Sequence, residues 1–376
     1  MNLSEEDLLE TARRRTGLSD WGGDSFRAGL RVLLESDNTE AQLSLLGKLA
    51  VRFEYLRSLC NRLRIQDTFN RHPEILDCPI RRPLFIVGFP RTGTTLLHNL
   101  LALDPQARAP LMWELLWPAP PEGDGPDPRI KWAKRGMGVT YALMPGLRVA
   151  HPVSATAPEE CFFLLENEFL CLGFEMVRYV PRYAAWLFKQ DFIPAYASYR
   201  RQLQLLQWRR PPHRWVLKSP FHLPSLDALL CAFPDASIIQ THRDLAEVAP
   251  SMCSLMHVVR RGFSRHVDPL RLGKDWLDTW SEAISRAMRV RANSDPGLFI
   301  DVDYRELIAD PIGVVRRLYA QLGLTFTTEL GERMKSWLND ERRQERRAHR
   351  YALADFGLSR AMIEERFATY AQSFLD

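Results

Sequence analysis

Residues 84–95 read Leu84-Phe85-Ile86-Val87-Gly88-Phe89-Pro90-Arg91-Thr92-Gly93-Thr94-Thr95. A short apolar run of this kind predicts a buried strand, and the helical pattern that opens at Leu96-Leu97 predicts a helix behind it. Strand, glycine loop and helix in that order are the context that a phosphate-binding loop requires. The loop has the spacing of a Walker A sequence, but Thr94 stands in the lysine position and Arg91 has entered the loop. Backbone N–H groups from Thr92 to Thr95 are expected to curl around an anion at the helix N-terminus. The Thr94 and Thr95 hydroxyls are expected on its oxygens. Such a site suits a phosphate-like anion and disfavours ordinary nucleoside-triphosphate chemistry.

Outward from the loop, a strand–helix rhythm begins at residue 83, the mark of a parallel sheet with helices on its faces. The expected strands are 84–88, 214–217, 236–241 and 298–302, with helices at 94–103, 222–232, 244–260 and 311–322. Residues 3–70 carry helical spacing, with Leu45, Leu46, Leu49, Phe53, Leu56, Cys60 and Leu63 recurring along one pattern. The fold class is therefore α/β: a P-loop-like parallel sheet flanked by helices, with a helical N-terminal subdomain. The expected division is 1–80 for the subdomain and 81–376 for the core domain. A long irregular insert, about residues 108–158, is expected to form a lid or acceptor-binding wall. It holds Trp113, Trp117, Trp132 and the loop-forming run Pro118-Ala119-Pro120-Pro121-Glu122-Gly123-Asp124-Gly125-Pro126.

Composition sets outer limits. With 376 residues, 46% hydrophobic and 26% charged, the chain can bury a large core without disulfides. A net charge of +4 slightly favours anionic ligands and is too small to argue for nucleic acid. The six cysteines form no CxxC pair, the N-terminus is acidic rather than signal-like, and no stretch reaches the roughly 18 apolar residues of a membrane span. A cytoplasmic protein with no integral membrane segment is expected.

Two further strand ends carry cations. Trp215-Val216-Leu217-Lys218-Ser219-Pro220 ends in a lysine that can replace the one the loop lacks, neutralising charge on a leaving oxygen. Ile238-Ile239-Gln240-Thr241-His242-Arg243 ends in an arginine, with Ser251 on the next helix. Carboxyl ends of strands are where open α/β sheets bind ligands, and arginine suits bidentate phosphate recognition. Their ordinary alternatives are a solvated lysine and an Arg–Asp pair capping a helix.

Together these residues resemble the sulfotransferase superfamily, whose donor is 3′-phosphoadenosine-5′-phosphosulfate. Pro90-Arg91-Thr92-Gly93-Thr94-Thr95 resembles its 5′-phosphosulfate loop, and Arg243 with Ser251 its 3′-phosphate motif. The resemblance is closest to the branch of tyrosylprotein sulfotransferases and bacterial enzymes, in which a segment like Lys218-Ser219-Pro220 precedes the 3′-phosphate strand. Asp303-Tyr304-Arg305-Glu306-Leu307 resembles a later element whose tyrosine lies near the nucleotide, which places Tyr304 in the cofactor site. Leu255 stands where the tyrosine-sulfating enzymes carry another arginine, and the N-terminal 80 residues match no motif.

The resemblance implies sulfonate transfer without a metal. Arg91 and Lys218 are expected at the transferring group, and Glu114 corresponds to the branch's catalytic glutamate. Glu159 and Glu160, which also suit a helix-capping role, and His151 are rival bases. The basic stretch 342–350 is expected either to reach the 3′-phosphate or to form a solvated face. The acceptor is a hydroxyl or amine of a small-molecule, lipid-like or glycan compound. The alternatives are a P-loop kinase, which would want lysine at position 94 and an acidic magnesium partner, and a non-catalytic nucleotide binder.

Overall fold

The computed structural model describes residues 3–121, 125, 127–150, 152–343 and 351–375. Five strands form one parallel sheet: β1 (Leu84–Gly88), β2 (Ala107–Arg108), β3 (Arg214–Lys218), β4 (Ser237–His242) and β5 (Phe299–Asp303), in spatial order β2-β3-β1-β4-β5. Four of them fall within a residue or so of the expected positions. The fifth, β2, is a two-residue edge strand paired with Arg214 and Trp215, too short to leave a sequence pattern. β1 lies at the centre, with Leu84 opposite Val216 on one side and Ser237 on the other. The chain leaves β1 toward β2 and β3 and only then crosses to β4. The crevice at the carboxyl ends of β1 and β4 is thus the topological switch point of the sheet.

The helices include α1 (Glu5–Thr16), α2 (Phe26–Thr39), α3 (Leu45–Arg71), α4 (Thr94–Leu101), α5 (Met112–Leu116), α6 (Pro128–Leu143), α7 (Pro145–Ala150), α8 (Ile193–Gln207), α9 (Leu245–Phe263), α10 (Pro269–Ala292), α11 (Tyr304–Ala309), α12 (Pro311–Gln321) and α13 (Thr328–Arg343). Local chemistry sets several of their ends. Ser44 caps α3 by accepting from the Gly47 amide at 2.9 Å, and Pro73 follows its last residues. The insert departs from expectation. Residues 112–116, 128–143 and 145–150 form the helices α5, α6 and α7, so the described part of the insert is largely helical.

Alternation along β1 divides the core. Phe85 and Val87 enter a large apolar cluster, while Leu84 and Ile86 enter a smaller one with Val216, Ile239 and Val302. The larger cluster also takes in Leu30, Tyr55 and Leu63 from the N-terminal helices. Buried ion pairs tie those helices to residues 166–178. Arg57 meets Glu166 at 2.5 Å and Arg62 meets Glu168 at 2.5 Å. Arg178, with no exposed side-chain surface, meets Asp37 at 2.7 Å, Glu54 at 2.8 Å and the Tyr55 hydroxyl at 2.9 Å. Such pairs contribute little net stability while whole but are costly to break on one side. Among the described residues, no helix is long and apolar enough to cross a membrane.

Candidate active site

The loop between β1 and α4 is shaped by three unusual backbone positions. Gly88 has φ 136°, and a Cβ there would lie 2.6 Å from Thr241 Oγ1 and 2.7 Å from the Thr241 carbonyl oxygen on β4. Only glycine lets the two strands approach that closely. Arg91 and Gly93 also sit in the left-handed region, at φ 72° and 87°. This turns the chain so that α4 begins directly at Thr94 with no side-chain cap. The first amides of α4 therefore face out of the loop as free donors. Thr92 is turned inward: its hydroxyl donates to the Phe89 carbonyl at 2.6 Å and lies 2.5 Å from the Thr241 hydroxyl. Thr94 is buried and Thr95 exposed at the mouth.

Lys218 ends β3 beside this mouth. Its Nζ lies 3.5 Å from Thr95 Oγ1, 2.8 Å from Glu160 Oε1 and 4.0 Å from Glu159 Oε1, and its side chain is almost wholly buried. The backbone holds the carboxylates there, because the Cys161 amide donates to the Lys218 carbonyl at 3.0 Å and the Glu159 amide to that of Pro110 at 3.1 Å. His98, on the buried side of α4, is pushed down to about 3, first by burial and then by Lys218. It remains neutral at physiological pH, in contact with the Val216 carbonyl at 3.3 Å.

On the other flank of the loop a second cationic group forms. Arg91 Nε donates to Ser251 Oγ at 3.1 Å, and the Tyr351 hydroxyl donates to the same oxygen at 2.8 Å. Arg243 donates to the Arg91 carbonyl at 3.0 Å and lies over the Tyr304 ring at 4.1 Å from its centroid. Tyr304 also borders Gly93, whose missing Cβ would come within 3.2 Å of its ring. Arg91, Thr92, Gly93, Thr94, Thr95, Arg243, Ser251 and Tyr304 are thus gathered around one loop, at the carboxyl ends of β1, β4 and β5, with Lys218 at the end of β3.

The Arg91 guanidinium, expected at the transferring group, reaches Ser251 on α9 from the loop. Glu114 is not brought to Lys218. Its carboxylate accepts from Arg108 Nη2 at 2.5 Å and from the Leu111 amide at 2.9 Å, so it caps α5. There it borders a cavity of about 240 Å³ with Arg108, Trp113, Pro158 and Arg210. The carboxylate in contact with the lysine is Glu160, one of the rival bases. His151 and residues 344–350 of the basic stretch lie outside the described residues, as do the side chains of residues 341–343. The hydroxyl of Tyr351 at the site had no signal beyond its place at the end of that stretch.

Comparison with known proteins agrees with this geometry. The Sulfotransferase family matches residues 83–328. The chain is 28% identical over 327 residues to the omega-hydroxy-beta-dihydromenaquinone-9 sulfotransferase Stf3 of Mycobacterium bovis, covering 81% of this chain and 78% of that protein. It is similar to the crystal structure of sulfotransferase STF1 from Mycobacterium tuberculosis H37Rv, with TM-score 0.87, 37% identity and 98% and 99% coverage of the two chains. Sulfotransferase STF9 from Mycobacterium avium superposes with TM-score 0.90 at 32% identity, over 99% and 96% of the chains.

Proposed function

The chain belongs to the sulfotransferase family, and from that premise we propose that it moves a sulfonate group from 3′-phosphoadenosine-5′-phosphosulfate to the hydroxyl of a small, largely apolar acceptor. One observation carries the choice of donor: basic side chains flank a single anion loop on two sides. Lys218 stands at the α4 mouth against Glu160, and Arg91 reaches Ser251 on the other flank, with Arg243 bonded to the Arg91 carbonyl and to Glu247. A donor with a phosphosulfate at one end and a separate 3′-phosphate meets both, whereas ATP concentrates its charge in a single chain.

In the proposed reaction the acceptor oxygen attacks sulfur, forming an O–S bond, and the S–O bond to the 5′-phosphate breaks with its electron pair passing to the phosphate oxygen. Lys218, held beside Thr95, neutralises that oxygen. Free α4 amides and the Thr94 and Thr95 hydroxyls hold the anion, worth more in a fixed, partly dry site than in water. Glu160 receives the acceptor proton. This assignment replaces Glu114 because Glu160 already lies against Lys218, while both oxygens of Glu114 are committed to Arg108 and Leu111. Arg91, Arg243, Ser251 and Tyr304 bind the 3′-phosphate side of the nucleotide.

The helical insert supports an apolar acceptor, with Trp113 buried and Trp117 packed edge-on to Trp132 at 5.8 Å. The Stf3 relative, named for a hydroxylated menaquinone, supports a lipid-like alcohol. All six cysteines are free, in keeping with the cytoplasmic location expected from the sequence. Titration calorimetry tests the donor. Adenosine 3′,5′-bisphosphate is expected to bind more tightly than ATP–magnesium, and Arg243→Ala to weaken the bisphosphate about tenfold or more while changing adenosine 5′-monophosphate little. A preference for ATP, or equal losses for the two nucleotides, overturns the reading.

A further inference from the structure

Large apolar side chains are unusually exposed in two places that adjoin. On α3, Leu45, Leu49 and Phe53 recur at i, i+4 and i+8, with Leu46 beside them. On α6, Trp132, Val139 and Leu143 lie along an i, i+7, i+11 stripe that Gly136 completes. Each of these seven side chains is between 44% and 70% exposed. The two stripes flank the carboxyl end of α9. Gly47 of α3 packs on the Phe263 carbonyl, and Met144, just past α6, packs on Gly262. The Ser44 amide fixes the junction by donating to the Phe263 carbonyl at 2.9 Å.

The charge around this face has one sign. The segments that meet there, residues 41–53, 128–158 and 248–267, contain no aspartate or glutamate, in a chain that as a whole carries 50 basic and 46 acidic residues. Acids from elsewhere reach Arg52, Arg129 and Arg260, through Asp7, Asp127 and Glu175. Lys131, Lys134, Arg135, Arg148, Arg261 and Arg265 are exposed, and no ion pair among the described residues joins any of them to a carboxylate. Apolar side chains rimmed by unpaired cations are the composition of a helix that lies in a membrane interface. They are a poor composition for contact with a second copy, which would set these cations against one another.

We infer that the α3–α6 face docks on an anionic lipid surface. Leu45, Leu49, Val139 and Leu143 enter the headgroup boundary and the basic rim meets lipid phosphates. The inference does not depend on the identity of the acceptor, and docking would set the insert wall of the site against the bilayer.

Sedimentation with sucrose-loaded vesicles tests it. The full chain is expected to pellet with vesicles containing phosphatidylglycerol and not with pure phosphatidylcholine, and to be released as salt rises. The triple variant K131E/K134E/R135E is expected to bind roughly a hundredfold more weakly, on the order of fivefold for each cation lost. V139D/L143D and L45D/L49D are each expected to lose pelleting while keeping the urea midpoint and the affinity for adenosine 3′,5′-bisphosphate. Absence of binding to anionic vesicles, equal binding to both vesicle types, or full binding by the charge-reversed variant overturns the inference. So does a concentration-dependent dimer in sedimentation velocity that L45D/L49D abolishes, with no vesicle binding, which assigns the face to a second copy.

Discussion

Replacing Lys218 by methionine removes the only charge that β3 brings to the loop mouth and keeps most of the buried stem. The magnitude follows from where Nζ sits. It lies 3.5 Å from Thr95 Oγ1 in an almost fully buried position, so a leaving phosphate oxygen held at that mouth would stand about 4 Å away or closer. With an effective dielectric near 20, a full unit of charge at about 4 Å is worth roughly 4 kcal/mol. The oxygen gains between half a unit and a full unit of charge as the S–O bond breaks, so the transition state loses about 2–4 kcal/mol relative to the bound donor. At about 1.36 kcal/mol per decade, kcat is expected to fall between about 30-fold and 900-fold. The donor is already anionic when bound, so its KM is expected to rise as well, by less than the loss in kcat. Steady-state kinetics with a labelled donor reads both numbers, and a urea titration confirms that the variant is folded. A loss in kcat below tenfold with a large rise in donor KM would refute the reasoning, because Lys218 would then be binding the ground state rather than the transition state.

Glu160→Gln is expected to lower kcat by about 10²–10⁴, whereas Glu114→Gln is expected to lower the urea midpoint and to change kcat by less than about tenfold. The reverse pattern returns the base to Glu114. Burial pushes the Glu166 carboxyl up to about 7 from 4.5, with Arg57 opposing. The folded state therefore holds this proton more tightly than the unfolded chain. Its contribution is complete below about 4.5 and is lost as pH rises through about 7. Urea midpoints of the wild type measured against Glu166→Gln should diverge across that window, and parallel pH profiles would rule the mechanism out.

The central strands were legible because β1 and β3 are short, mostly buried apolar runs that end at a glycine or a lysine, and β4 opens on the same kind of run before its polar end. The loop after β1 was equally plain, since Gly88 and Gly93 are required by the backbone there. Two things were not legible. α6 carries Gly136 and Gly138 and buries only Arg129 and Ala133, so it has no apolar stripe toward the core by which a helix is recognised. Glu160 read as a helix-capping acid because nothing in the local sequence reveals that its segment hydrogen-bonds along the end of β3, 57 residues away in the Cys161–Lys218 pairing. Distances along the chain identify loops and caps; the meeting of a carboxylate with a lysine is a property of the sheet order.

The ion pairs that tie α2 and α3 to residues 166–178 have a consequence for how the chain is made. Arg57, Arg62 and Asp37 leave the ribosome more than 100 residues ahead of Glu166, Glu168 and Arg178. Until those partners emerge, packing the N-terminal helices would bury charge with nothing to answer it. The amino-terminal helices cannot settle first and wait, as domains commonly do during synthesis. Its commitment is delayed until the chain past Arg178 is available, which makes completion of that later stretch the event that licenses the larger core to close.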